Sequence, residues 1–217
     1  MEVFKLIAGI LFDFDMTLID TSPALLFNIN KIAGHFGLPT ITMEFLMENI
    51  GLNSVDFWIA VLGSYNKEYM DYYKSECMPY ETPLMKHMPG SIECITCLRK
   101  IGIKVGCASN RVHPERVVEA KGLTALMDCI VGADTVAHPK PAPDVLLKGA
   151  ELLCCRAEDV IYVGDTEYDI ESARNAGMKS VVFTTSNPRE KLEKEGAWSV
   201  IDSYSEFIPL LKSEGLL

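Results

Sequence analysis

From Gly90 to the C-terminus, short apolar segments alternate with segments in which apolar residues recur at helical spacing. Such alternation favours a parallel sheet with helices on both faces. We therefore predict a doubly wound α/β fold, in which an apolar run over residues 3–12 supplies the first strand. The predicted strands are 3–12, 103–108, 129–131, 160–163, 180–183 and 199–201, and the predicted helices are 91–100, 114–121, 143–153, 168–176, 188–195 and 204–212.

The segment between the first strand and Gly90 has a different pattern. Its apolar residues recur only at helical spacing, with breaks at glycine-containing segments, and no strand pattern is found there. We expect an α/β core formed by 1–19 and 86–217, and a small four-helix domain, 20–85, inserted after the first strand. The predicted helices of this insertion are 24–36, 43–50, 55–62 and 65–73.

The charge and the composition exclude several classes of partner. A formal net charge of −10 argues against nucleic acid and anionic membrane surfaces. No stretch approaches the roughly 18 continuous apolar residues of a membrane span, and the N-terminus lacks the features of a signal peptide. Seven cysteines, mostly within apolar runs, fit a reducing compartment. We therefore expect a cytoplasmic protein, as a monomer or a homodimer, that binds a small molecule.

Polar side chains follow several predicted strands at the points where those strands end. Because the carboxyl ends of parallel strands lie along one edge of a sheet, we expect these side chains to converge there. They are Asp13, Asp15 and Thr17 after the first strand, Ser109 and Asn110 after 103–108, Asp165 and Asp169 after 160–163, and Lys140 in a proline-rich segment at a helix start. Taken singly, each motif also fits a structural interpretation, in which aspartates cap turns and helices.

The residue types in this set favour phosphoryl transfer. Neighbouring carboxylates would repel one another unless a divalent cation neutralised them. Oxygen ligands without a nearby histidine favour Mg²⁺, which binds through a few carboxylates and a substrate phosphate. A carboxylate can also attack phosphorus to form an aspartyl phosphate, while a hydroxyl, an amide and a lysine bind the phosphoryl oxygens.

These motifs, in this order, resemble the haloacid dehalogenase superfamily of phosphohydrolases over nearly the whole chain. The likeness is greatest to the branch with a helical cap domain after the first strand of a Rossmann-like core, typified by phosphoglycolate phosphatase and β-phosphoglucomutase. The resemblance implies that Asp13 is the nucleophile, and that Asp15 protonates the leaving oxygen and later activates water. It further implies phosphate binding by Thr17, Ser109, Asn110 and Lys140, and Mg²⁺ binding by Asp13, the backbone carbonyl of Asp15, Asp165 and Asp169, the last as a ligand or as an anchor behind the ligands.

Two residues of the first motif bear on this resemblance. Met16 stands where the family often has glycine, which concerns the conformation of the chain after the first strand rather than the chemistry. Asp15 is absent from the dehalogenase and phosphonatase branches, which protonate no alcohol leaving group. Its presence therefore favours phosphate ester chemistry.

The inserted domain bears on the substrate. The resemblance places its substrate-facing loop at about residues 49–54, with Asn49 and Asn53 as candidate contacts. Residues 20–85 contain three lysines, eight acidic residues and no arginine, for a formal charge of −5. A mutase that handles a bisphosphate needs a cationic grip for the distal phosphate, so we favour a phosphatase acting on a small phosphorylated metabolite. A β-phosphoglucomutase-like mutase, a pyrophosphatase, and a phosphate-sensing or partner-binding module without turnover stay open as alternatives.

Overall fold

Residues 6–52 and 54–217 are described here from a computed structural model of the chain. The chain divides into two compact units. The first, which we call the α/β unit, consists of Met1–Leu18 and His87–Leu217, and the second, the helical unit, consists of Ile19–Lys86. In the described part of the chain, no helix is both long enough and apolar enough to cross a membrane.

Within residues 6–52 and 54–217, eight strands form two sheets. The larger sheet has six strands in the order β5-β4-β1-β6-β7-β8, with every neighbouring pair parallel, and β2 and β3 form a separate pair. The strands are β1 (Gly9–Phe12), β2 (Ile19–Asp20), β3 (Lys86–His87), β4 (Lys104–Ala108), β5 (Cys129–Val131), β6 (Val160–Gly164), β7 (Lys179–Phe183) and β8 (Ser199–Ile201).

Helices connect the parallel strands of the larger sheet, and a run of helices follows β2. The helices are α1 (Ser22–Phe36), α2 (Met43–Asn49), α3 (Ser54–Leu62), α4 (Lys67–Tyr72), α5 (Met78–Glu81), α6 (Ser91–Lys100), α7 (Pro114–Ala120), α8 (Asp144–Leu152), α9 (Glu167–Ala176), α10 (Arg189–Lys194) and α11 (Tyr204–Ser213).

Helices cover both faces of the larger sheet. Successive residues of its central strand point to opposite faces, so each of the two faces receives apolar side chains from this strand. On β1, Leu11 joins a buried cluster with Leu146 and Ala150 of α8. The next residue, Phe12, packs instead against Phe207 of α11, with ring centroids 6.1 Å apart. All four residues of β1 are buried, which is why the strand reads as an unbroken apolar run. The predicted doubly wound parallel sheet is confirmed.

The first strand is shorter than predicted. Of the predicted run 3–12, residues 3–5 lie outside the described part of the chain, and the strand starts only at Gly9. Gly9 pairs with Lys104 and Val160, which are the first residues of β4 and β6, so the ladder of β1 begins where its two neighbours begin. Leu6 accordingly lies outside the sheet and is 61% exposed.

The helical unit contains the four predicted helices as α1 to α4, with a short π-helix and α5 after them. The carboxylate of Asp20 accepts a hydrogen bond of 3.0 Å from the backbone N–H of Ser22, and this caps the start of α1. The β2–β3 pair was not predicted, because a two-residue strand leaves no periodic pattern in a sequence. The apolar faces meet in one buried cluster, formed by Ile29, Ile32, Leu46, Phe57, Trp58, Val61, Leu62 and Cys77.

Candidate active site

The turn after β1 carries the first group of predicted site residues. The backbone N–H of Asp13 donates to the carbonyl of Val163 at 2.8 Å, so β1 stays paired with β6 up to the aspartate. Met16 has a φ of +54°, in the left-handed region that glycine adopts most easily. The Thr185 hydroxyl donates to the Met16 carbonyl at 2.8 Å and holds this turn in place. The left-handed backbone conformation of Met16 therefore explains why glycine is common at this position of the family.

Lys140 lies at the centre of the buried polar cluster. Its Nζ is 3.0 Å from Oδ1 of Asp13, 2.7 Å from Oδ1 of Asp169 and 2.9 Å from the hydroxyl of Tyr162. The backbone of Lys140 is fixed by the side chain of Asn110, which accepts from the Lys140 N–H at 2.8 Å and donates to its carbonyl at 3.0 Å. The segment after β4 thus positions the lysine that bridges Asp13 and Asp169.

Asp169 is held tightly at the start of α9. Its Oδ2 accepts hydrogen bonds from the N–H groups of Asp165 and Thr166, at 3.1 and 2.9 Å, and from the Thr166 hydroxyl at 2.7 Å. Its Oδ1 accepts from Lys140. This close approach requires glycine at the end of β6, because a Cβ on Gly164 would lie 2.3 Å from Cγ of Asp169. Both oxygens of Asp169 are therefore already used within the protein.

Asp165 lies beside Asp169 and is supported from two other segments. The Thr17 hydroxyl donates to Oδ1 of Asp165 at 3.1 Å, and the Ser186 hydroxyl donates to Oδ2. The side chain of Asn187 reaches the Asp165 backbone carbonyl at 3.4 Å. Residues after β1, β6 and β7 thus converge on one buried carboxylate.

Burial is the largest influence on the ionisation of the four charged groups. It raises the pKa of Asp13 to about 6, although the charge of Lys140 works against it. Burial, together with the charges of Asp169 and Asp13, raises the pKa of Asp165 well above its usual range. Burial acts on Asp169 in the same direction, but the charge and hydrogen bond of Lys140 outweigh it, so the pKa of Asp169 is lowered. Burial would lower the pKa of Lys140, but the two carboxylates that it touches raise it instead.

These shifts divide the cluster into a satisfied pair and two carboxylates that need more positive charge. Lys140 and Asp169 form the satisfied ion pair. One oxygen from each of Asp13, Asp165 and Asp169 lies within 4.8 Å of the others, and all three residues are buried. Buried carboxylate oxygens at this spacing suit a hard divalent cation such as Mg²⁺, which would also lower the cost of ionising Asp13 and Asp165.

Asp15 binds Arg111 rather than Lys140. Arg111 binds its carboxylate with two parallel hydrogen bonds, from Nε to Oδ2 at 2.8 Å and from Nη2 to Oδ1 at 2.9 Å. Ser109, which precedes it on the same segment, is buried, and its hydroxyl accepts from the Arg111 N–H at 3.3 Å. The structure therefore brings the core motifs predicted from the sequence to one edge of the sheet.

The structure describes one of the two residues predicted in the inserted domain. The Asn49 amide donates to the carbonyl of Phe45 within α2, at 2.7 Å. Asn53 lies outside the described part of the chain. Their role as substrate contacts stays a prediction, as does the assignment of residues 20–85 to a cap domain.

Sequence reasoning missed three residues of the site. Tyr162 is fully buried in β6, where its hydroxyl receives a hydrogen bond from Lys140 and donates to the carbonyl of Ala108 at 2.9 Å. A tyrosine inside an otherwise apolar central strand was the available signal. Ser186 and Asn187 follow β7, and the rule that strand ends carry site residues, applied to this strand as well, would have found them.

A parallel sheet with a buried lysine and carboxylates at its carboxyl edge is typical of α/β enzymes, and its anionic site could hold a cation. The sequence model of the haloacid dehalogenase-like hydrolases matches residues 10–183. The chain belongs to this family of hydrolases, as its motifs predicted.

Curated relatives align along most of the chain. The chain is 28% identical to a pyrophosphatase PpaX of Bacillus mycoides over 205 residues, which cover 93% of the chain and 95% of the relative. It is also 28% identical to a phosphoglycolate phosphatase of Aquifex aeolicus over 176 residues, which cover 80% and 83% of the two proteins. Both alignments span at least 80% of each protein, so the similarity is not limited to one domain of the chain.

A solved structure shows the same fold. The crystal structure of a hydrolase of this family from Deinococcus radiodurans R1, with bound phosphate and sodium, superposes with a TM-score of 0.81. The match covers 98% of both chains at 19% sequence identity, so it bears on the fold.

Proposed function

We propose that this protein is a magnesium-dependent phosphatase that hydrolyses a small phosphomonoester through an aspartyl phosphate on Asp13. The observation that carries the proposal is the placement of the Asp13 carboxylate. It is buried, lies 3.0 Å from the Lys140 ammonium and shares a cluster with two further carboxylates. Burying a carboxylate is costly, and buried carboxylates with perturbed pKa values cluster at functional sites.

In the first half of the reaction, an oxygen of Asp13 attacks phosphorus and the bond to the leaving oxygen breaks. The carboxyl group of Asp15 gives its proton to that oxygen, so an alcohol departs. In the second half, Asp15 takes a proton from water, whose oxygen attacks phosphorus. The bond to Asp13 then breaks, which regenerates the carboxylate and releases phosphate.

Asp13, Asp165 and the backbone carbonyl of Asp15 would hold the Mg²⁺ ion. We assign Asp169 to the anchoring role, because both of its oxygens already accept hydrogen bonds. When bound, the ion supplies positive charge against the phosphoryl oxygens and against the buried carboxylates. Lys140 keeps Asp169 ionised and reaches Asp13 at the same time.

In this proposal, Ser109 and Lys140 donate hydrogen bonds directly to the phosphate group of the substrate. The amide of Asn110 is engaged by the Lys140 backbone, so Asn110 supports the lysine. The hydroxyl of Thr17 donates to Asp165, so Thr17 supports the metal ligand. Direct contact of Thr17 and Asn110 with phosphate stays a prediction from the family resemblance.

The relatives support two substrate classes. One relative is named a phosphoglycolate phosphatase, which favours a small organic phosphomonoester. Another is named a pyrophosphatase, which makes inorganic pyrophosphate the second candidate. The acidic helical unit, which contains no arginine, favours the phosphomonoester over pyrophosphate and over the bisphosphate of a mutase, because both of those carry a second phosphate. We infer that residues 20–85 act as the cap domain, with Asn49 and Asn53 as candidate contacts to the leaving group.

The test is phosphate release from a panel of phosphorylated metabolites and pyrophosphate, with Mg²⁺ or with EDTA. Wild type should turn over at least one substrate, and EDTA should abolish the reaction. D13N should lose activity by at least about 10³-fold, because an amide is not a competent nucleophile. K148A serves as a control, since Lys148 is an exposed residue that pairs with Glu151. If no substrate releases phosphate at any Mg²⁺ concentration, the chain is a binding module rather than an enzyme.

A further inference from the structure

Arg111 grips the side chain of Asp15 in a geometry that fixes both oxygens. The two hydrogen bonds are nearly equal in length, at 2.8 and 2.9 Å, and run in parallel from one guanidinium to one carboxylate. A fork of this kind restrains orientation as well as position, which a single bond from a lysine cannot do. The Arg111 side chain is 20% exposed and that of Asp15 36%, so the pair is only partly shielded from water.

Arg111 is itself held in place by contacts of its backbone and of its side chain. Its N–H donates to the Ser109 hydroxyl at 3.3 Å, and its carbonyl accepts from the N–H of Ala133 at 3.0 Å. The guanidinium lies over the ring of Phe14, 5.3 Å from the ring centroid, and Phe14 is fully buried. The arginine is therefore supported by the backbone on one side and by an immobile aromatic ring on the other.

A general acid must be placed to within a few tenths of an ångström of the oxygen that it protonates. Asp15 follows the end of β1 in a turn, and its partly exposed side chain has two rotatable bonds of its own. The fork of Arg111 removes that freedom. Each carboxylate oxygen carries two lone-pair sites, so an oxygen that accepts from Arg111 keeps a site for the transferred proton.

We propose that Arg111 is the positioning residue for Asp15, which rests on the proposed role of Asp15 as the general acid and base. Arg111 exchanges no proton. The proton passes between an Asp15 oxygen and the leaving oxygen as the phosphorus–oxygen bond breaks, while the guanidinium keeps the carboxylate in the orientation that this transfer needs. An opposing assignment is that Arg111 leaves Asp15 and binds an anionic group of the substrate.

The two assignments predict different losses for R111A. If Arg111 positions Asp15, kcat/KM should fall about 10- to 100-fold on glycerol 1-phosphate, whose leaving group needs a proton. On p-nitrophenyl phosphate, whose leaving group needs no proton, kcat/KM should fall less than about threefold, because this ratio does not include the later hydrolysis step in which Asp15 acts as the base. KM should change equally for glycerol 1-phosphate and 2-phosphoglycolate, because the carboxylate of the second makes no contact with Arg111.

Three further variants complete the test. D15A and the double variant D15A/R111A should be equally slow on glycerol 1-phosphate, because Arg111 acts only through Asp15. R111K should recover part of the kcat/KM lost in R111A, since an ammonium can engage one carboxylate oxygen. R156A is the matched control and should leave both rates unchanged, because Arg156 pairs on the surface with Glu158 and Asp159. R111Q replaces R111A if the alanine variant unfolds below the assay temperature.

Several results would overturn the inference. Equal losses of kcat/KM on the two leaving groups, an additive loss in the double variant, or a faster R111A would each show that Arg111 does not position the acid. A rise in KM confined to 2-phosphoglycolate would assign Arg111 to the substrate anion instead. If wild type hydrolyses neither ester nor any other substrate in the panel, the proposed function fails first, and the role of Arg111 fails with it.

Discussion

Replacing Tyr162 with phenylalanine removes one oxygen from the most buried part of the site. That oxygen accepts from Lys140 at 2.9 Å and donates to the carbonyl of Ala108 at 2.9 Å. A hydrogen bond to a charged group contributes about 1.5–3 kcal/mol, and a buried carbonyl that loses its donor costs about 1–3 kcal/mol. We expect Y162F to lose about 3 kcal/mol of stability, which for a chain of this size lowers the unfolding temperature by about 6–12 °C.

The same change should slow turnover. Lys140 would keep Asp13 and Asp169 as partners but lose the hydroxyl that fixes the third direction of its ammonium group. A loss of about 1.4 kcal/mol in the transition state corresponds to a tenfold lower kcat. The measurements are thermal unfolding without substrate, and kcat with the best substrate of the panel at saturating Mg²⁺.

Tyr204 supplies the matched control for this prediction. It is also buried, and its hydroxyl donates to the backbone carbonyl of Thr17 at 2.9 Å, so the partner of this hydrogen bond is a neutral group. Y204F should therefore cost only about 1 kcal/mol, the usual value for a neutral hydrogen bond. If Y204F is as destabilising as Y162F, or if Y162F unfolds within 2 °C of wild type, the reasoning from the charged hydrogen bond is wrong.

Two other predictions follow from the site. Burial raises the pKa of Asp13 to about 6, so a proton competes with the cation for this carboxylate below that pH. In the absence of metal, protonated Asp13 stabilises the folded protein at about pH 4, and this stabilisation is lost as the pH rises through 6. Mg²⁺ should therefore raise the unfolding temperature more at pH 7.5 than at pH 5 in differential scanning fluorimetry, and equal shifts, or the same shifts in D13N, would contradict this. G164A should destabilise the protein by about 3 kcal/mol or more, because the new Cβ would lie 2.3 Å from Cγ of Asp169, whereas G34A, in an open part of α1, should stabilise it by about 0.5–1 kcal/mol in thermal unfolding.

The longer helices and strands could be predicted because each has a periodic pattern of apolar residues within its own sequence. The strands 129–131 and 199–201 and the helix 91–100 have the same bounds in the sequence prediction and in the structure. Strand ends then gave the site, since parallel strands of one sheet place their carboxyl ends together. The first strand was overextended because its length depends on where β4 and β6 begin, which no local pattern contains.

The pairing of side chains within the site could not be predicted from the sequence. The ion pair of Arg111 with Asp15 joins residues 96 positions apart, and the hydrogen bond of Thr17 to Asp165 joins residues 148 positions apart. The sequence indicated that these residues lie near one edge of the sheet. It did not indicate that Thr17 would hydrogen-bond Asp165 or that Asn110 would hydrogen-bond the Lys140 backbone, because these contacts depend on side-chain orientation.

The balance of charge in the cluster explains why its residue types must occur together. Lys140 can neutralise one carboxylate, and its shortest ion pair is with Asp169, whose other oxygen is held by the start of α9. Asp13 and Asp165 are then left buried with raised pKa values, a state that stabilises protons or a divalent cation in the same place. A proton on Asp13 would remove the nucleophile, whereas a cation keeps it ionised. The same burial that makes the carboxylates costly therefore favours the ion over the proton at neutral pH, and ties the proposed activity to the metal.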